Sequence, residues 1–205
     1  MIGIVNYRMG NIRSVVNALE YLGEESKVID TPEQILKADK LILPGVGSFR
    51  VAMEHINAMG FFDALNEAVI GKRVPILGIC LGMQLLAEDS DEDGLTPGFG
   101  WIPGNVRRFP VEILGKKVPH IGFNTAVFDP GRRGLFGRLG RQADFYFVHS
   151  YRFVCRKPER HVSSWTLYGE RFASSVENEN IYGMQFHPEK SQSNGLTVLR
   201  NFCDM

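Results

Sequence analysis

Short apolar runs alternate with stretches of helical spacing along the first 80 residues. Residues 2–5 (Ile-Gly-Ile-Val) read as a buried strand. The segment 11–22 then places Ile12, Val15, Val16, Leu19 and Leu22 at helical spacing before Gly23 ends it. Residues 27–29 predict a second strand and 41–43 a third, closed by Pro44-Gly45. Two helices are expected over 50–58 and 61–70, followed by a strand over 74–79. Strands separated by helices make a parallel sheet covered on both faces.

Beyond Gly94 the pattern changes. Gly98, Gly100, Pro103, Gly104 and Pro110 punctuate short segments such as 106–109 and 118–121, and strand-like runs follow at 144–148, 162–167, 172–176 and 181–186. Antiparallel strands and hairpins are expected here. A helix over 196–202 ends the chain, and Gly131-Arg132-Arg133-Gly134 reads as a surface turn. No linker, repeat or low-complexity segment divides the sequence. The expectation is one α/β domain over residues 1–205, with an open, mostly parallel central sheet flanked by helices and antiparallel strands added in the C-terminal half.

Composition narrows the function classes. The 205 residues suit one domain of ordinary size, and 23 Lys+Arg against 23 Asp+Glu leave no formal charge to attract nucleic acid or anionic membranes. The longest apolar stretch, 74–83, is about half a membrane span and is interrupted by Pro75, Gly78 and Gly82. No basic leader precedes the first strand. Cys80, Cys155 and Cys203 are odd in number and widely spaced, which disfavours both a disulfide framework and a zinc site. A cytoplasmic protein is expected, with no metal, cofactor, nucleic acid or membrane partner.

Gly78-Ile79-Cys80-Leu81-Gly82 is the most informative stretch. A buried strand runs into a cysteine, and an apolar helix carrying Leu81, Met83, Leu85 and Leu86 begins at once. Glycines two residues either side permit the tight strand-to-helix turn of a nucleophile elbow. The helix N-terminus favours a thiolate and offers backbone N–H donors. The competing reading is a buried structural cysteine. A nucleophile also needs a base. Of five histidines, His55 and His161 lie among polar residues and read as solvated. His187 ends an apolar strand and is followed by Pro188 and by Glu189, which could orient the imidazole. After the third strand, Pro44-Gly45-Val46-Gly47-Ser48-Phe49 carries two glycines at i, i+2, which lets backbone N–H groups approach an oxyanion. Taken alone it reads first as a simple strand-to-helix turn, but in an open α/β sheet it should lie near the elbow, which favours the oxyanion reading.

Pro44-Gly45-Val46-Gly47, Gly78-Ile79-Cys80-Leu81-Gly82-Met83-Gln84 and Gln185-Phe186-His187-Pro188-Glu189 together resemble the class I glutamine amidotransferases. The finer similarity is to the glutaminase subunits of imidazole glycerol phosphate synthase, and it runs over essentially the whole chain. Met9-Gly10-Asn11, Pro119-His120-Ile121-Gly122-Phe123-Asn124 and Tyr146-Phe147-Val148-His149-Ser150-Tyr151 support it. The resemblance implies Cys80 as nucleophile, His187 as base and Glu189 as its orienting partner. It implies that L-glutamine is held by Gln84 and Glu92 at its α-amino and carboxylate end. Backbone around Gly45, Val46, Gly47 and Leu81 would serve the same ligand, and His149, Ser150 and Tyr151 would line its pocket. Glu92 suits an α-ammonium group, although the run Glu88-Asp89-Ser90-Asp91-Glu92-Asp93 equally reads as a solvated acidic loop.

The resemblance also implies a partner, a separate (β/α)8-barrel cyclase that receives ammonia in a heterodimer, with Phe123, Asn124, Tyr146 and Lys190 on the side facing it. Two departures stand out: a tryptophan is usual in the family where this chain has Phe123, and Asp-Tyr-Gly is usual where it has Asn6-Tyr7-Arg8. Neither touches the Cys–His–Glu set, but either could accompany a different ammonia acceptor, such as a sugar amidated in surface-polysaccharide synthesis. A Cys–His peptidase is disfavoured by Gln84, Glu92 and the His149-Ser150-Tyr151 segment. A catalytically silent binding module would be expected to have lost the nucleophile or the base, and this chain keeps both.

Overall fold

The computed structural model describes residues 1–110, 115, 117–131 and 134–205. Arg132 and Arg133, the middle of the expected surface turn, lie outside the described residues. The chain begins with β1 (Ile2–Val5), α1 (Ile12–Tyr21), β2 (Ser26–Ile29), α2 (Pro32–Ile35), β3 (Lys40–Gly45), α3 (Phe49–Ala58) and α4 (Phe61–Asn66). The second expected helix of this region does not stay regular, because α4 passes into a π-helical turn over Glu67–Gly71. Next come β4 (Ile76–Cys80), α5 (Leu81–Gln84), β5 (Asp89–Ser90), β6 (Thr96–Pro97), β7 (Gly104–Arg108), β8 (His120–Phe128), β9 (Gln142–His149) and β10 (Tyr151–Cys155). The chain closes with α6 (Pro158–His161), β11 (Val162–Tyr168), β12 (Glu170–Asn178), β13 (Ile181–Met184), a 3-10 turn over Pro188–Lys190, and α7 (Gln192–Cys203).

The parallel and antiparallel halves form one continuous sheet, in the order β2-β1-β3-β4-β13-β12-β11-β8-β9. From β2 to β13 neighbours run parallel, and from β13 to β9 they run antiparallel. The pleat sorts alternate side chains into two layers. Val5, Leu41 and Leu43 pack with Phe49, Ile56, Phe61 and Leu65 on one face. Ile2, Ile4, Ile42, Leu77 and Ile79 pack with Val15, Leu19, Phe145, Phe186 and Val198 on the other. Burial on both faces is why β1, β3 and β4 are continuously apolar in sequence.

The second sheet, β10-β7-β5-β6, was not anticipated. It takes in the first part of the acidic run at Asp89–Ser90, while Asp91 and Asp93 stay exposed in the turn that follows. Asp89 accepts from Asn105 Nδ2 at 2.6 Å and from Arg107 at 2.7 Å, Glu88 accepts from the Gly104 N–H at 3.2 Å, and Ser90 is buried. The consequence for the site lies in the strand order. β4 sits between β3 and β13, with Gly45 opposite Cys80 and Met184 opposite Ile79. The Pro44–Gly47 turn and His187 therefore emerge on either side of Cys80, at the carboxyl ends of parallel strands where ligand sites of open α/β sheets form.

Candidate active site

Cys80 ends β4 and caps α5 with φ +54° and ψ −106°, a conformation rarely adopted by a residue with a side chain. Such geometry costs about 1–3 kcal/mol and persists only where the surroundings impose it. The two glycines of the motif impose it by close approach; neither has a positive φ itself. A Cβ on Gly78 would stand 2.5 Å from the Gly82 carbonyl oxygen, and one on Gly82 would stand 1.7 Å from that of Leu43. The helix after the elbow is shorter than expected. It ends at Gln84 because the next carbonyls bond elsewhere: Leu85, Leu86, Ala87 and Glu88 accept from the N–H groups of Phe99, Ile102, Gly100 and Gly98. One helical turn carries little macrodipole, so the local N–H groups matter more than the helix as a whole.

His187 is 2 % exposed, and its Nδ1 lies 2.8 Å from Glu189 Oε1, as the His-Pro-Glu spacing suggested. Burial pushes the imidazole down, but Cys80 on one side and Glu189 on the other outweigh it and raise it to about 10. The pair therefore favours an imidazolium facing a sulfur, the state a cysteine nucleophile needs. Gln185, to which sequence reasoning gave no role, is fully buried here. It donates to Cys80 Sγ at 3.6 Å and accepts from Gln84 Nε2 at 3.1 Å. Its only signal in sequence was its place in the motif two residues before His187.

In front of the sulfur lies a cleft of about 370 Å³ lined by Val46, Gly47, Cys80, Leu81, Gln84, Glu92, Pro119, Val148, His149, Ser150 and Tyr151. Every candidate for glutamine contact lines it except Gly45, which lies behind the lining at the end of β3. A Cβ on Gly45 would lie 2.0 Å from Tyr7 Oη and 2.9 Å from Leu81 Cβ, so the turn rests against a tyrosine the sequence gave no reason to place there. Gly47, at φ +111°, needs its glycine for conformation. Gln84 directs its amide N–H groups to Tyr151 O and Gln185 Oε1, both at 3.1 Å. Its carbonyl oxygen is then left as an acceptor. Glu92 is half-buried and accepts from Phe49 N at 2.9 Å; burial raises its carboxyl, the Phe49 N–H opposes this, and Asp93 and Asp91 add to it. A cleft lined by a cysteine thiol and by the acceptors of Gln84 and Glu92 has the chemistry to take a small amino acid by both a carbonyl and an ammonium group.

The description "Glutamine amidotransferase class-I" matches residues 4–205 of the chain. The chain belongs to the class I glutamine amidotransferase family. Among curated relatives, the imidazole glycerol phosphate synthase subunit HisH 1 of Campylobacter jejuni is 43 % identical over 99 % of both chains. The subunit HisH 2 of Vibrio vulnificus is 47 % identical over 98 % of this chain and 92 % of its own. A crystal structure of a glutamine amidotransferase superposes with TM-score 0.74 over 99 % of this chain and 97 % of that one, at 22 % identity, a likeness of fold.

This amidotransferase departs from the family pattern at positions with local explanations. Arg8 has φ +65°, which accounts for the glycine usual there, and Asn6 donates to Asp30 Oδ1 at 2.7 Å, where an aspartate would repel. Phe123 is 53 % exposed and meets the Tyr146 ring edge-on, with centroids 5.6 Å apart, while Lys190 Nζ stands 5.8 Å from the same ring. Tyr146 O accepts from His187 N at 2.9 Å, so this face is bonded directly to the backbone of His187. His55 and His161 are half-buried rather than solvated, because each ring satisfies a carbonyl: Tyr7 O at 3.1 Å and Glu177 O at 3.2 Å. Among the described residues no cluster of His, Cys, Asp and Glu could hold a metal ion, and no helix is long and apolar enough to cross a membrane.

Proposed function

We propose that this chain is the glutaminase subunit of an imidazole glycerol phosphate synthase, one catalytic domain acting in the cytoplasm. Cys80 attacks the side-chain carbonyl of L-glutamine, and N–H groups of Leu81 and the Gly45–Gly47 turn hold the oxyanion. His187, protonated and oriented by Glu189, gives its proton to the departing ammonia and then takes one from the water that hydrolyses the thioester to glutamate. The observation that carries this reading is the placement of Cys80 in the cleft with His187 and the Pro44–Gly47 turn on either side.

The ammonia passes to a (β/α)8-barrel cyclase in a heterodimer, which releases imidazole glycerol phosphate and AICAR in histidine biosynthesis. Support for a partner comes from the exposed apolar side chains of Ile121 and Phe123 on β8, where Phe123 pairs across the strands with Tyr146 and Lys190 stands over the same ring. Ammonia is protonated at neutral pH and lost to bulk water, so a fitted face beside the base serves the chemistry. The printed names of the full-length relatives support the histidine destination. Phe123 in place of the usual tryptophan keeps the aromatic area but loses a donor, and it favours a second reading in which the acceptor is a sugar.

The test is glutamate release by the chain alone and with a co-expressed barrel subunit and its nucleotide acceptor. Slow hydrolysis alone and a rise of several orders of magnitude in the complex are expected, as the oxyanion turn shifts to its competent population. Growth without histidine should return in a cell lacking its own glutaminase subunit. Fast, unaltered turnover in the isolated chain removes the gating; glutaminase activity without restored growth favours the sugar acceptor.

A further inference from the structure

A second pair of imidazoles borders the site and takes no part in the chemistry above. His120 on β8 and His149 at the end of β9 are cross-strand partners, 2 % and 6 % exposed. Their surroundings are aromatic. His120 stacks on Tyr168 and Phe147 with centroids 3.9 and 4.8 Å away, and Phe172 and Phe109 lie 5.2 Å from His149.

The hydrogen bonds around the pair have a direction. Asn124 Oδ1 accepts from Thr125 N at 2.8 Å, so its NH2 group faces Leu167 O at 3.0 Å and His120 Nε2 at 3.3 Å. His120 Nε2 is then an acceptor, and the ring proton sits on Nδ1, 3.0 Å from His149 Nε2. From the other end, His149 Nδ1 lies 2.8 Å from Tyr151 O, which can only accept. The proton of His149 is therefore on Nδ1 and its Nε2 must accept. Both ends demand the same arrangement. A proton added to either ring would set N–H against N–H, or against the Asn124 amide protons. Burial acts in the same sense, holding His120 at about 4 and His149 at about 3.

We propose that His120 is a positioning residue of the glutaminase centre: through the chain Asn124–His120–His149–Tyr151 it locks His149, in the wall of the cleft beside Cys80, into one neutral tautomer with neither nitrogen free. The inference rests on the reading of that cleft as the glutamine site. It leaves polar recognition to Gln84, Glu92 and backbone groups, since His149 offers a ligand only carbon edges. It also keeps a second cation away from His187, so a single imidazole at the nucleophile changes charge. The other ionisable groups facing the pair are Tyr168 above His120, Tyr151 at the end of the chain, Cys80 and Glu92 in the same cleft, His187, whose charge opposes one on His149, and Arg152 at 5.5 Å over Phe109.

Ring-nitrogen NMR of the full chain labelled with 15N-histidine tests this. At pH 7 both rings should report protonated Nδ1 and bare Nε2, and neither should gain a proton until well below the ordinary 6.5 of histidine. His120→Leu, which cannot donate, should leave the His149 proton on Nδ1 but strip Nε2 of its partner, so that this ring gains a proton at a higher pH than in the wild type, and should lower kcat about tenfold or more. His120→Gln, whose amide can still donate to His149 Nε2, should restore much of both. A merely structural His120 would lower thermal stability and kcat together in both variants without moving the pH at which His149 gains its second proton, and that result overturns the proposal. So does a wild-type His149 that is cationic or carries its proton on Nε2 at pH 7, a measurement that needs no variant to fold. Wild-type rings as expected in a chain that releases no glutamate would instead remove the glutaminase reading.

Discussion

Glu189→Gln separates the charge of the third group from its hydrogen bond. The carboxylate lies 2.8 Å from His187 Nδ1 and both side chains are 2 % exposed, so solvent does little to screen the pair. An ion pair with charges about 4 Å apart at an effective dielectric constant near 20 is worth about 4 kcal/mol, or about three pH units of imidazole ionisation. The loss on substitution is smaller, because the amide still offers an oxygen and Cys80 acts on His187 independently. The basic limb of the kcat/KM profile should therefore fall by about 1–2 pH units, within the range a single neighbouring charge produces. Comparing variant with wild type isolates the enzyme, since the substrate's own ammonium ionises identically in both assays. At neutral pH kcat should drop on the order of 10²- to 10³-fold, the scale of one impaired proton transfer. Stability gives a second readout. The folded value of His187, about 10, lies above the unfolded 6.5, so the pair contributes fully below about pH 6.5 and loses its contribution as pH rises towards 10. Wild-type thermal stability should decline across that interval more steeply than that of Glu189→Gln. A basic limb that stays in place, or moves upward, would refute the assignment of Glu189 as the group that sustains the imidazolium.

Cys80→Ser should reduce glutamate release by on the order of 10⁴-fold or more, the scale seen when one member of a catalytic unit is removed; Cys155→Ser and Cys203→Ser, assayed alongside, should retain turnover, and the reverse pattern would discard the nucleophile. Gly82→Ala puts a methyl 1.7 Å from the Leu43 carbonyl oxygen and should cost about 3 kcal/mol or more, some 6–12 °C in Tm for a chain of this size. Gly71→Ala meets nothing nearer than 4.0 Å and should leave Tm nearly unchanged, so equal melting of the two variants would contradict the close-approach account of the elbow.

What the sequence disclosed of the site was local. Gly78, Cys80 and Gly82 lie within five residues, His187 and Glu189 within three, and Gly45 and Gly47 within three, so their spacing alone carries chemical meaning. What it concealed depends on which strands become neighbours. Gln185 reaches Cys80 only because β13 inserts beside β4, more than 100 residues away along the chain. Tyr7 lies beneath Gly45 because β1 and β3 are adjacent, and no periodicity in residues 6–10 announces it. The acidic run read as a loop or as a ligand contact, since its partners Asn105 and Arg107 arrive on β7, a neighbouring strand that the sequence did not pair with it. The two imidazoles of β8 and β9 meet through the single pairing His120–His149, and a slip of one residue would turn one of them to the opposite face. A catalytic unit can be held by local turns, because a nucleophile and a base each need only one rigid corner. Glu189 holds the His187 ring from within its own corner, whereas the side chains that bond Cys80 Sγ and His149 Nε2, Gln185 and His120, come from neighbouring strands and leave no mark in local spacing.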